Sequence, residues 1–379
     1  MRFLILGCGN IGKVIIKDLL VSEATKRVIA LDISEKRLRE MKDELQDERF
    51  EYIVGDATNR DYLKSIIANI DVVINSLPGS IGFHVMKNII ELGTNLVDIS
   101  YMPENPLELD ELAKNKRIIV VPDAGVAPGL SNILVGYASA IFDRVESVKI
   151  YVGGLPEKKI PPLDYCLTWS AEDLIEEYTR PARIIRNGEL ISVPALSGLE
   201  RIYINGVGEL EAFYTDGLRT LLHTIRAKNM EEKTLRYPGH VEKIRLLIDL
   251  GFFDKDRIKI DDNEVSIMKI TAKLLERKIS CKDVRDIVIL KVITEGVLRN
   301  EKTRRVFEII DRYRNGITAM GRTTGFTASI IAQLIAKGRI DMYGVVPPEY
   351  LGMRREIFHQ IINELSRRGV LIRGISEEE

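Results

Sequence analysis

The sequence is poor in cysteine, tryptophan and glutamine, and it carries no excess of charge of either sign. Its 379 residues include 3 Cys, 1 Trp and three Gln, and 55 Lys plus Arg stand against 56 Asp plus Glu. A balance this close to neutrality argues against a protein that binds nucleic acid by neutralising phosphates. Few glutamines beside many Lys, Arg, Glu and Ile are typical of thermophilic proteins, so the composition favours a thermophile.

The three cysteines, Cys8, Cys166 and Cys281, are odd in number, widely spaced and outside any CxxC motif. We therefore expect neither a disulfide framework nor a metal site, and we expect a reducing, cytoplasmic compartment. No apolar run approaches the roughly 18 residues of a membrane span. The apolar N-terminus runs directly into a glycine-rich turn, which argues against a signal peptide.

The first 123 residues alternate short apolar runs with helical patterns. Runs without a polar break are typical of strands that are buried on both faces of a sheet, and short helical crossovers make such a sheet parallel. The sequence thus predicts an α/β fold that begins with a doubly wound Rossmann domain over residues 1–123. The predicted strands are Phe3–Leu6, Val28–Leu31, Tyr52–Val54, Val72–Asn75, Leu96–Ile99 and Ile118–Val121.

A glycine motif, Gly7-Cys8-Gly9-Asn10-Ile11-Gly12, follows the first predicted strand and opens a helical pattern. Gly7 suits the tight turn, Gly9 lets the backbone approach a pyrophosphate, and Gly12 lets the helix pack closely on the strand. The free N–H groups at the helix start, near Asn10 and Ile11, suit phosphate oxygens. The motif therefore predicts a dinucleotide site, because it has the strand, the helix and a distal acid in the required order.

The distal acid is Asp32, twenty residues after Gly12 and at the end of the second predicted strand. A carboxylate there accepts hydrogen bonds from the adenosine ribose and repels a 2′-phosphate, so we expect NAD rather than NADP. Lys36 and Arg37 are close enough to weaken this preference, although both also fit the solvated face of a charged helix. Cys8, inside the turn, is interpreted as a packing residue.

Two later strand ends complete the expected cofactor site, since ligands of open α/β sheets bind beyond the carboxyl ends of the strands. Asp56 could accept a bond from the adenine amino group, or it could cap the turn that follows it. The segment after the fourth strand would lie along the ribose on the nicotinamide side. The expected cofactor residues at these two ends are Gly55, Asp56, Ala57, Ser76, Leu77 and Pro78.

From about residue 124 the pattern changes to strand-rich segments with intervening helices. It predicts an α+β domain over residues 124–316 with a mostly antiparallel sheet, including strands at Tyr165–Trp169 and Asp286–Thr294 and a helix over Asp216–His223. Long antiparallel edges need cover, and pairing with a second copy is the simplest way to provide it. We therefore expect a homodimer or a dimer of dimers through residues of about 145–315. The acidic tail Glu377–Glu379 is predicted to be disordered.

Several segments together resemble the saccharopine dehydrogenase-like superfamily, and most closely its lysine 6-dehydrogenase branch. They are DAGVAPGLSN (Asp123–Asn132), TWSAEDLIEEYTRPA (Thr168–Ala182), EAFYTDGL (Glu211–Leu218), TLRYPGH (Thr234–His240) and GITAMGRTTGF (Gly316–Phe326). The resemblance covers essentially the whole chain. It implies a helical C-terminal segment over residues 317–379 that returns to pack on the Rossmann domain.

The resemblance also implies a reaction, in which an amine carbon gives a hydride to NAD and the resulting imine is hydrolysed. For L-lysine the products would be 2-aminoadipate 6-semialdehyde and ammonia. Such a reaction needs a general base, while the cofactor carries out the hydride chemistry. An amino-acid substrate also brings a carboxylate, which suits an arginine fork, and an ammonium, which suits a carboxylate.

His240 is the first candidate for the base, because histidine titrates near neutral pH and this one lies at a predicted helix start that would keep it neutral. Tyr237 beside it could relay a proton. Asp98 ends the fifth predicted strand, where its side chain would point toward a nicotinamide pocket. Asp123 ends the sixth, at the domain boundary, where it could orient a base or bind the substrate amine. The first three have a structural alternative: His240 could bond to the backbone, Tyr237 could pack in a core, and Asp98 could cap its turn.

Arg180 and Arg236 compete for the substrate carboxylate. Asp216 is interpreted first as an N-cap of the helix that follows it and second as a substrate-binding residue. Two other readings stay open. One is a reductive condensation of an amine with an aldehyde, as in saccharopine- or carboxynorspermidine-type enzymes. The other is a sensor that binds NAD without catalysis, against which the Arg236-Tyr237-Pro238-Gly239-His240 turn argues, because a sensor needs no such polar cluster.

Overall fold

The computed structural model describes residues 1–281 and 284–375, so Glu377–Glu379 lie outside the described residues. The strands are β1 (Arg2–Leu6), β2 (Arg27–Asp32), β3 (Phe50–Val54), β4 (Val72–Asn75), β5 (Asn95–Asp98), β6 (Ile119–Val121), β7 (Arg144–Pro156), β8 (Ala182–Arg186), β9 (Glu189–Val193), β10 (Glu200–Ile204), β11 (Gly208–Tyr214), β12 (Asn229–Arg236), β13 (Arg257–Ile260), β14 (Asn263–Ser266), β15 (Asp286–Leu298), β16 (Glu301–Arg312) and β17 (Gly344–Val345). The helices are α1 (Asn10–Val21), α2 (Glu35–Leu45), α3 (Arg60–Ile66), α4 (Gly79–Leu92), α5 (Asp110–Asn115), α6 (Leu130–Ile141), α7 (Ala171–Thr179), α8 (Leu221–Thr224), α9 (His240–Asp249), α10 (Ile267–Ile279), α11 (Phe326–Ala336), α12 (Pro348–Met353) and α13 (Arg355–Arg367), with a 3-10 turn at Pro106–Leu109 and a π-helical turn at Gly321–Gly325.

The chain divides into two compact units, and the first holds a parallel sheet. This unit comprises Met1–Phe142, Arg219–Ile225 and Gly321–Ile372. Its seven strands lie in the order β17-β6-β5-β4-β1-β2-β3, and every pairing is parallel. The predicted Rossmann sheet is confirmed. The seventh strand, β17, was not predicted, because two residues are too few to form a readable pattern.

The first unit extends beyond the predicted boundary at residue 123. Helix α6 belongs to it, although the sequence pattern assigned residues 124–142 to the second domain. The reason is close packing of α6 on α12, since a Cβ at Gly136 would overlap the carbonyl of Glu349. The segment Gly321–Ile372 also belongs to this unit, where α11 contacts α1, β4 and β5.

The second unit is built on a mostly antiparallel sheet, as predicted. It comprises Asp143–Leu218, Arg226–Met320 and the chain end from Arg373. Its main strand order is β10-β11-β12-β7-β15-β16, with the β8–β9 hairpin attached to β12, and β7 with β12 is the one parallel pairing among its described strands. Helices α7, α9 and α10 contribute to an apolar cluster that includes Leu174, Ile175 and Val241.

Two predicted elements of the second half are wrong. Tyr165–Trp169 is not a strand, because its backbone forms a single bridge, from Leu167 to Ser280. Within Asp216–His223 helix is formed only from Leu221, since Asp216 is bound by Arg183 and does not cap a helix. The hairpin of β13 and β14 was not predicted, because its alternating Arg257–Ile260 strand is exposed and polar-rich.

The structure also corrects the expectation about cysteines, because Cys166 and Cys281 form a disulfide across 115 residues of sequence. The hydrogen bond from Leu167 N to Ile279 O, 2.8 Å long, places the two segments side by side. This long-range pairing is invisible in local spacing. The inference of a reducing compartment loses its support with it. Among the described residues, no helix combines the length and apolar character required to cross a membrane.

Candidate cofactor and catalytic sites

The glycine motif between β1 and α1 has the geometry of a dinucleotide cradle. Gly7 has a φ of 93° and donates its N–H to Leu31 O over 2.8 Å, which fixes the turn. A Cβ at Gly12 would overlap the carbonyl of Gly7, so the helix packs tightly on the turn. A Cβ at Gly9 would meet no protein atom within 4 Å. Protein packing therefore does not require Gly9, and the open space beside it fits a pyrophosphate near Asn10 and Ile11.

Asp32 ends β2 with its carboxylate turned toward this cradle. One oxygen accepts the N–H of Cys8 over 2.7 Å, and the other accepts the N–H of Ser34 over 2.7 Å. The guanidinium of Arg37 lies 4.0 Å from Asp32, whereas Lys36 is exposed and pairs with Glu40. The carboxylate of Asp32 is thus fixed beside the glycine turn, and of the two nearby basic residues Arg37 approaches it.

The ends of β3 and β4 lie at the same carboxyl edge of the sheet. Gly55 N donates to Asp32 O over 3.1 Å, and the hydroxyl of Ser76 donates to the carbonyls of Leu6 and Gly7 over 2.8 and 2.9 Å. Asp56 accepts two bonds from Thr58, and these bonds lower the pKa of its carboxyl. Asp56 therefore caps its turn. The remaining expected contacts at this edge are buried Ala57 and half-buried Leu77, with Pro78 at the start of α4.

Two buried carboxylates end the neighbouring strands β5 and β6. Asp98 accepts bonds from the Asn75 amide, the Ser100 N–H and the Ser100 hydroxyl. Burial raises the pKa of Asp98 to about 7, with a further contribution from the charge of Asp123. The N–H of Ala124, next to Asp123, donates to Asp98 O over 2.8 Å, so the two strand ends are joined. The structure therefore brings together two acids predicted as separate candidates.

Asp123 is held by an arginine that the sequence pattern did not single out. Arg219 Nε lies 3.2 and 3.3 Å from the two oxygens of Asp123, and both side chains are buried. Arg219 Nη2 also donates to Glu104 O over 3.2 Å. Arg219 directly follows the EAFYTDGL segment, but 96 residues separate it from Asp123, and no local pattern reveals such a pairing.

In the second unit, His240 is fully buried at the start of α9. Its Nδ1 is 2.8 Å from Leu163 O, and its Nε2 is 2.8 Å from the hydroxyl of Tyr178. The imidazole is therefore neutral, with Nδ1 donating and Nε2 accepting. Burial and nearby Arg236 lower its pKa to about 3, so the helix start is not the main cause. This geometry matches the alternative of a backbone-bonded structural histidine.

Arg236 lies in the same cluster and is also buried. Its guanidinium donates to Glu177 over 2.6 Å and to Leu235 O over 3.0 Å, and it lies 4.7 Å from the ring centre of Tyr165. A guanidinium in this position organises the core of the unit. Its carboxylate partner is a residue of the chain itself, which argues against the predicted role in binding a substrate carboxylate.

The other predicted residues of the second unit have partners of their own. Tyr237 donates its hydroxyl to Pro156 O over 2.8 Å, and burial raises its pKa. Asp216 accepts three bonds from the backbone and guanidinium of Arg183. Arg180 forms an ion pair with Glu176 at 3.6 Å. Each contact is structural in kind.

Comparisons with known proteins agree with this architecture. Residues 3–121 match the family model of the saccharopine dehydrogenase NADP binding domain, and residues 125–370 match that of the saccharopine dehydrogenase C-terminal domain. The chain is 22% identical over 388 residues to the mitochondrial alpha-aminoadipic semialdehyde synthase of Rattus norvegicus, which covers 82% of this chain and 41% of that protein. It is 25% identical over 256 residues to the saccharopine dehydrogenase (NADP+, L-glutamate-forming) of Pyricularia oryzae, which covers 64% of this chain and 56% of that protein.

The chain thus spans about half the length of these curated relatives. Among solved structures, the apo saccharopine dehydrogenase (L-Glu forming) of Saccharomyces cerevisiae superposes with a TM-score of 0.79 at 19% identity. The superposition covers 99% of this chain and 100% of that one. The two proteins share a fold across their whole lengths.

Proposed function

The chain belongs to the saccharopine dehydrogenase family, and we propose that it is a nicotinamide-nucleotide-dependent oxidoreductase acting on a carbon–nitrogen bond of an amino acid. The observation that carries the proposal is the carboxyl edge of the first unit. There the glycine cradle, Asp32 and the buried pair Asp98 and Asp123 follow adjacent strands of one sheet. Nucleotide sites and reactive groups of open α/β sheets lie at this edge.

The residues at this edge have separate tasks in the proposed reaction. Gly9 and the first N–H groups of α1 hold the pyrophosphate, and Asp32 orients the adenosine ribose. The nicotinamide, when bound, supplies the hydride acceptor. Asp98 can exchange a proton near neutral pH, because burial raises its pKa to about 7. An amine must lose a proton before its carbon releases a hydride, so a carboxylate with this pKa suits a general base.

We propose L-lysine as the substrate, which would be oxidatively deaminated at its 6-amino group. Loss of a proton and a hydride from the C6–N6 unit gives an imine, and water then releases ammonia and 2-aminoadipate 6-semialdehyde. The resemblance to the lysine 6-dehydrogenase branch supports this choice. Arg180 and Arg236 pair with Glu176 and Glu177, so neither arginine adds support to this choice.

A second candidate is oxidative cleavage of saccharopine. It is favoured by the relatives in Pyricularia oryzae and Saccharomyces cerevisiae, which are named for that substrate or its glutamate product. Saccharopine carries the same lysine C6–N6 bond, with a glutarate group in place of a hydrogen on nitrogen. Hydride would leave the same carbon, and water would release glutamate instead of ammonia. The aldehyde product would be identical, so the nitrogen-bearing product separates the two reactions.

The test is a nucleotide-reduction screen with the purified protein and lysine, saccharopine, ornithine or a polyamine, followed by assays for ammonia and glutamate. We expect lysine to reduce the nucleotide with release of one ammonia per NADH. Turnover of saccharopine alone, with release of glutamate, would replace lysine by the second candidate. Absence of turnover with every amine, despite tight nucleotide binding, would favour the non-catalytic sensor.

We also propose NAD as the cofactor, because the carboxylate of Asp32 opposes a 2′-phosphate. The name of the matching NADP-binding family model and the NADP-dependent relatives favour the other nucleotide. We expect the unmutated protein to prefer NAD and Asp32→Ser to narrow that preference by about tenfold, which corresponds to the loss of about 1.4 kcal/mol of charge repulsion. Lys36→Ala is the matched control, because Lys36 pairs with Glu40 and not with Asp32. Binding of both nucleotides with equal affinity by the unmutated protein would contradict the proposal.

A further inference from the structure

Glu349 on α12 is a fully buried carboxylate that has no role in the proposed reaction. It bonds Thr220, the residue next to Arg219 of the Asp123 ion pair. Its oxygens accept bonds from the hydroxyls of Thr220 and Thr224 and from the Asn132 amide. All three donors are neutral. Burial raises the pKa of Glu349, so keeping an acid here opposes folding unless the bonds offset the cost. A leucine or methionine would fill the same volume without that cost, which indicates that the hydrogen bonds are what the position requires.

Two of the three donors belong to the segment Arg219–Ile225. This segment lies in the first unit, although the chain before and after it belongs to the second. A segment of seven residues has little core of its own. Glu349 accepts hydrogen bonds from two of its residues, Thr220 and Thr224, which lie four residues apart. The third donor, Asn132, accepts the N–H of Gly129 over 3.2 Å in the turn that follows Asp123. Glu349 therefore links the Arg219–Ile225 segment to the turn that follows Asp123.

Arg219 is the first residue of this segment, and it adopts a φ of 53°, in the left-handed region. This conformation is unfavourable for an arginine, so neighbouring contacts must maintain it. The adjacent Thr220 is the residue that Glu349 holds. The result is a guanidinium set against both oxygens of Asp123 and against the carbonyl of Glu104, which lies in the loop after β5.

We propose that Glu349 is a positioning residue, which fixes the Arg219–Ile225 segment so that Arg219 stays on Asp123 and neutralises the charge beside Asp98. The inference rests on the proposed function, because Asp98 matters as a base only if a proton is exchanged at this edge. The charged groups that face Asp98 are Asp123 and, through it, Arg219; its direct partners Asn75 and Ser100 are neutral. Loss of Arg219 would remove a positive charge from beside Asp123, which would raise the pKa of Asp98.

The experiment compares Glu349→Ala, Glu349→Gln and Arg219→Gln by hydrogen–deuterium exchange and by the pH profile of kcat/KM. We expect Glu349→Ala to speed exchange of residues 219–225 at least tenfold. We also expect it to move the acid limb of kcat/KM to higher pH by about half a unit, in the same direction as Arg219→Gln. Glu349→Gln can retain the bonds to the threonine hydroxyls and should leave both measurements near those of the unmutated protein.

The direction of the shift separates positioning from a direct effect of charge. Removing the negative charge of Glu349 would, by itself, lower the pKa of Asp98 and move the limb to lower pH. The control is Asp18→Asn. It breaks another buried carboxylate contact of this unit, to Arg368 at 2.7 Å, and leaves the Arg219–Ile225 segment unchanged. It should lower the melting temperature and leave the pH profile in place.

Unchanged exchange of residues 219–225 in Glu349→Ala, or a limb that moves to lower pH, would overturn the inference. If no amine is turned over, the proposed function fails, but the positioning role of Glu349 can still be tested. Exchange needs no substrate, and carboxyl NMR of Asp98 reports the same pKa shift in the resting protein. A rise in that pKa in Glu349→Ala and Arg219→Gln alike supports positioning.

Discussion

At the scale of single residues, pKa and hydrogen-bond partners separate the polar side chains that end the parallel strands from those that build the second core, since both groups are buried. Asp98 and Asp123 lie at a sheet edge where reactive groups are expected, and their partners leave Asp98 able to titrate near pH 7. His240 and Arg236 have their polar atoms bound by Leu163, Tyr178 and Glu177. A general base works best with a pKa near the working pH, so pKa favours Asp98 over His240.

We predict that His240→Asn acts on stability and not on chemistry. The shorter amide cannot span both Leu163 O and the Tyr178 hydroxyl, so the variant should lose about 2 kcal/mol of unfolding free energy. Turnover per folded molecule should change less than threefold, a change far below the hundredfold that loss of a general base typically produces. Urea unfolding and turnover well below the melting temperature measure the two effects separately.

The pH dependence gives this prediction a second observable. The pKa of His240 is lowered to about 3 in the folded protein, below its unfolded value near 6.5. Its contribution to stability is thus fully present above pH 6.5 and is lost as the pH falls toward 3. The difference in stability between His240→Asn and the unmutated protein should therefore shrink from pH 7 to pH 4. A hundredfold fall in turnover at unchanged stability would instead restore His240 as the base.

Residue types and short spacings were sufficient to predict the geometry of the glycine turn, but not the partners of the catalytic candidates. Gly7, Gly12 and Asp32 follow a local geometric rule, because the turn, the helix and the second strand are consecutive in the chain. Arg219 and Glu349 could not be predicted, since they meet Asp123 and Thr220 across 96 and 129 residues. His240 was predicted from its position in a turn, and no local pattern indicates that Leu163 and Tyr178 enclose it.

At the scale of elements, the close approach of α6 and α12 depends on glycine. A Cβ at Gly136 would overlap the carbonyl of Glu349, and one at Gly352 would overlap the carbonyl of Ile133. Glycine normally weakens a helix by up to about 1 kcal/mol relative to alanine. Two glycines that face each other across a helix pair indicate that contact between backbones outweighs this cost. This pair also places Glu349 opposite Asn132.

Gly136→Ala is expected to destabilise the protein by about 2 kcal/mol, because overpacking forces α12 away from α6. Helix propensity alone predicts the opposite sign, so the direction of the change is informative. Ser139→Ala, one turn later on the same helix, is the matched control, because its hydroxyl only bonds the carbonyl of Gly136. Chemical unfolding of both variants measures the difference. A stabilised Gly136→Ala would show that the two backbones are not in firm contact.

Sequence periodicity predicted elements well wherever each strand was apolar throughout, as in β1, β2 and β4. It failed where tertiary contacts define the conformation. Tyr165–Trp169 is apolar and aromatic because Tyr165 and Leu167 pack in the core of the second unit, and no neighbouring strand pairs along it. Cys166 and Cys281 meet for the same reason, through the Leu167 contact to Ile279.

At the scale of the whole molecule, the chain does not divide where composition changes. The first unit takes Arg219–Ile225 and Gly321–Ile372 from the later half of the sequence. Sequence patterns assign each continuous stretch to one domain. They cannot predict that seven residues of the later half, Arg219–Ile225, belong to the first unit. The Arg219–Ile225 segment carries Arg219, so it adds to the first unit a positive charge beside Asp123 that the N-terminal part of the chain does not provide.

The last prediction concerns assembly, and it follows from the edge of the second sheet. Strand β16, Glu301–Arg312, is 12 residues long and pairs with β15 along one side. On its other side the described residues provide a single bridge, between Glu308 and Arg373. A long strand at the edge of a sheet is a template for another strand. A two-fold pairing of identical edges satisfies both copies at once, and two-fold dimers are the most frequent closed assembly. We therefore expect a homodimer, or a dimer of dimers, through residues of about 145–315.

Sedimentation equilibrium at micromolar concentration should give at least twice the 42.9 kDa of one chain. Crosslinks between isotopically light and heavy copies should join Lys302 of β16 to the same strand of the partner. A monomer at that concentration would exclude the assembly, and a dimer whose crosslinks lie in the first unit would exclude this edge.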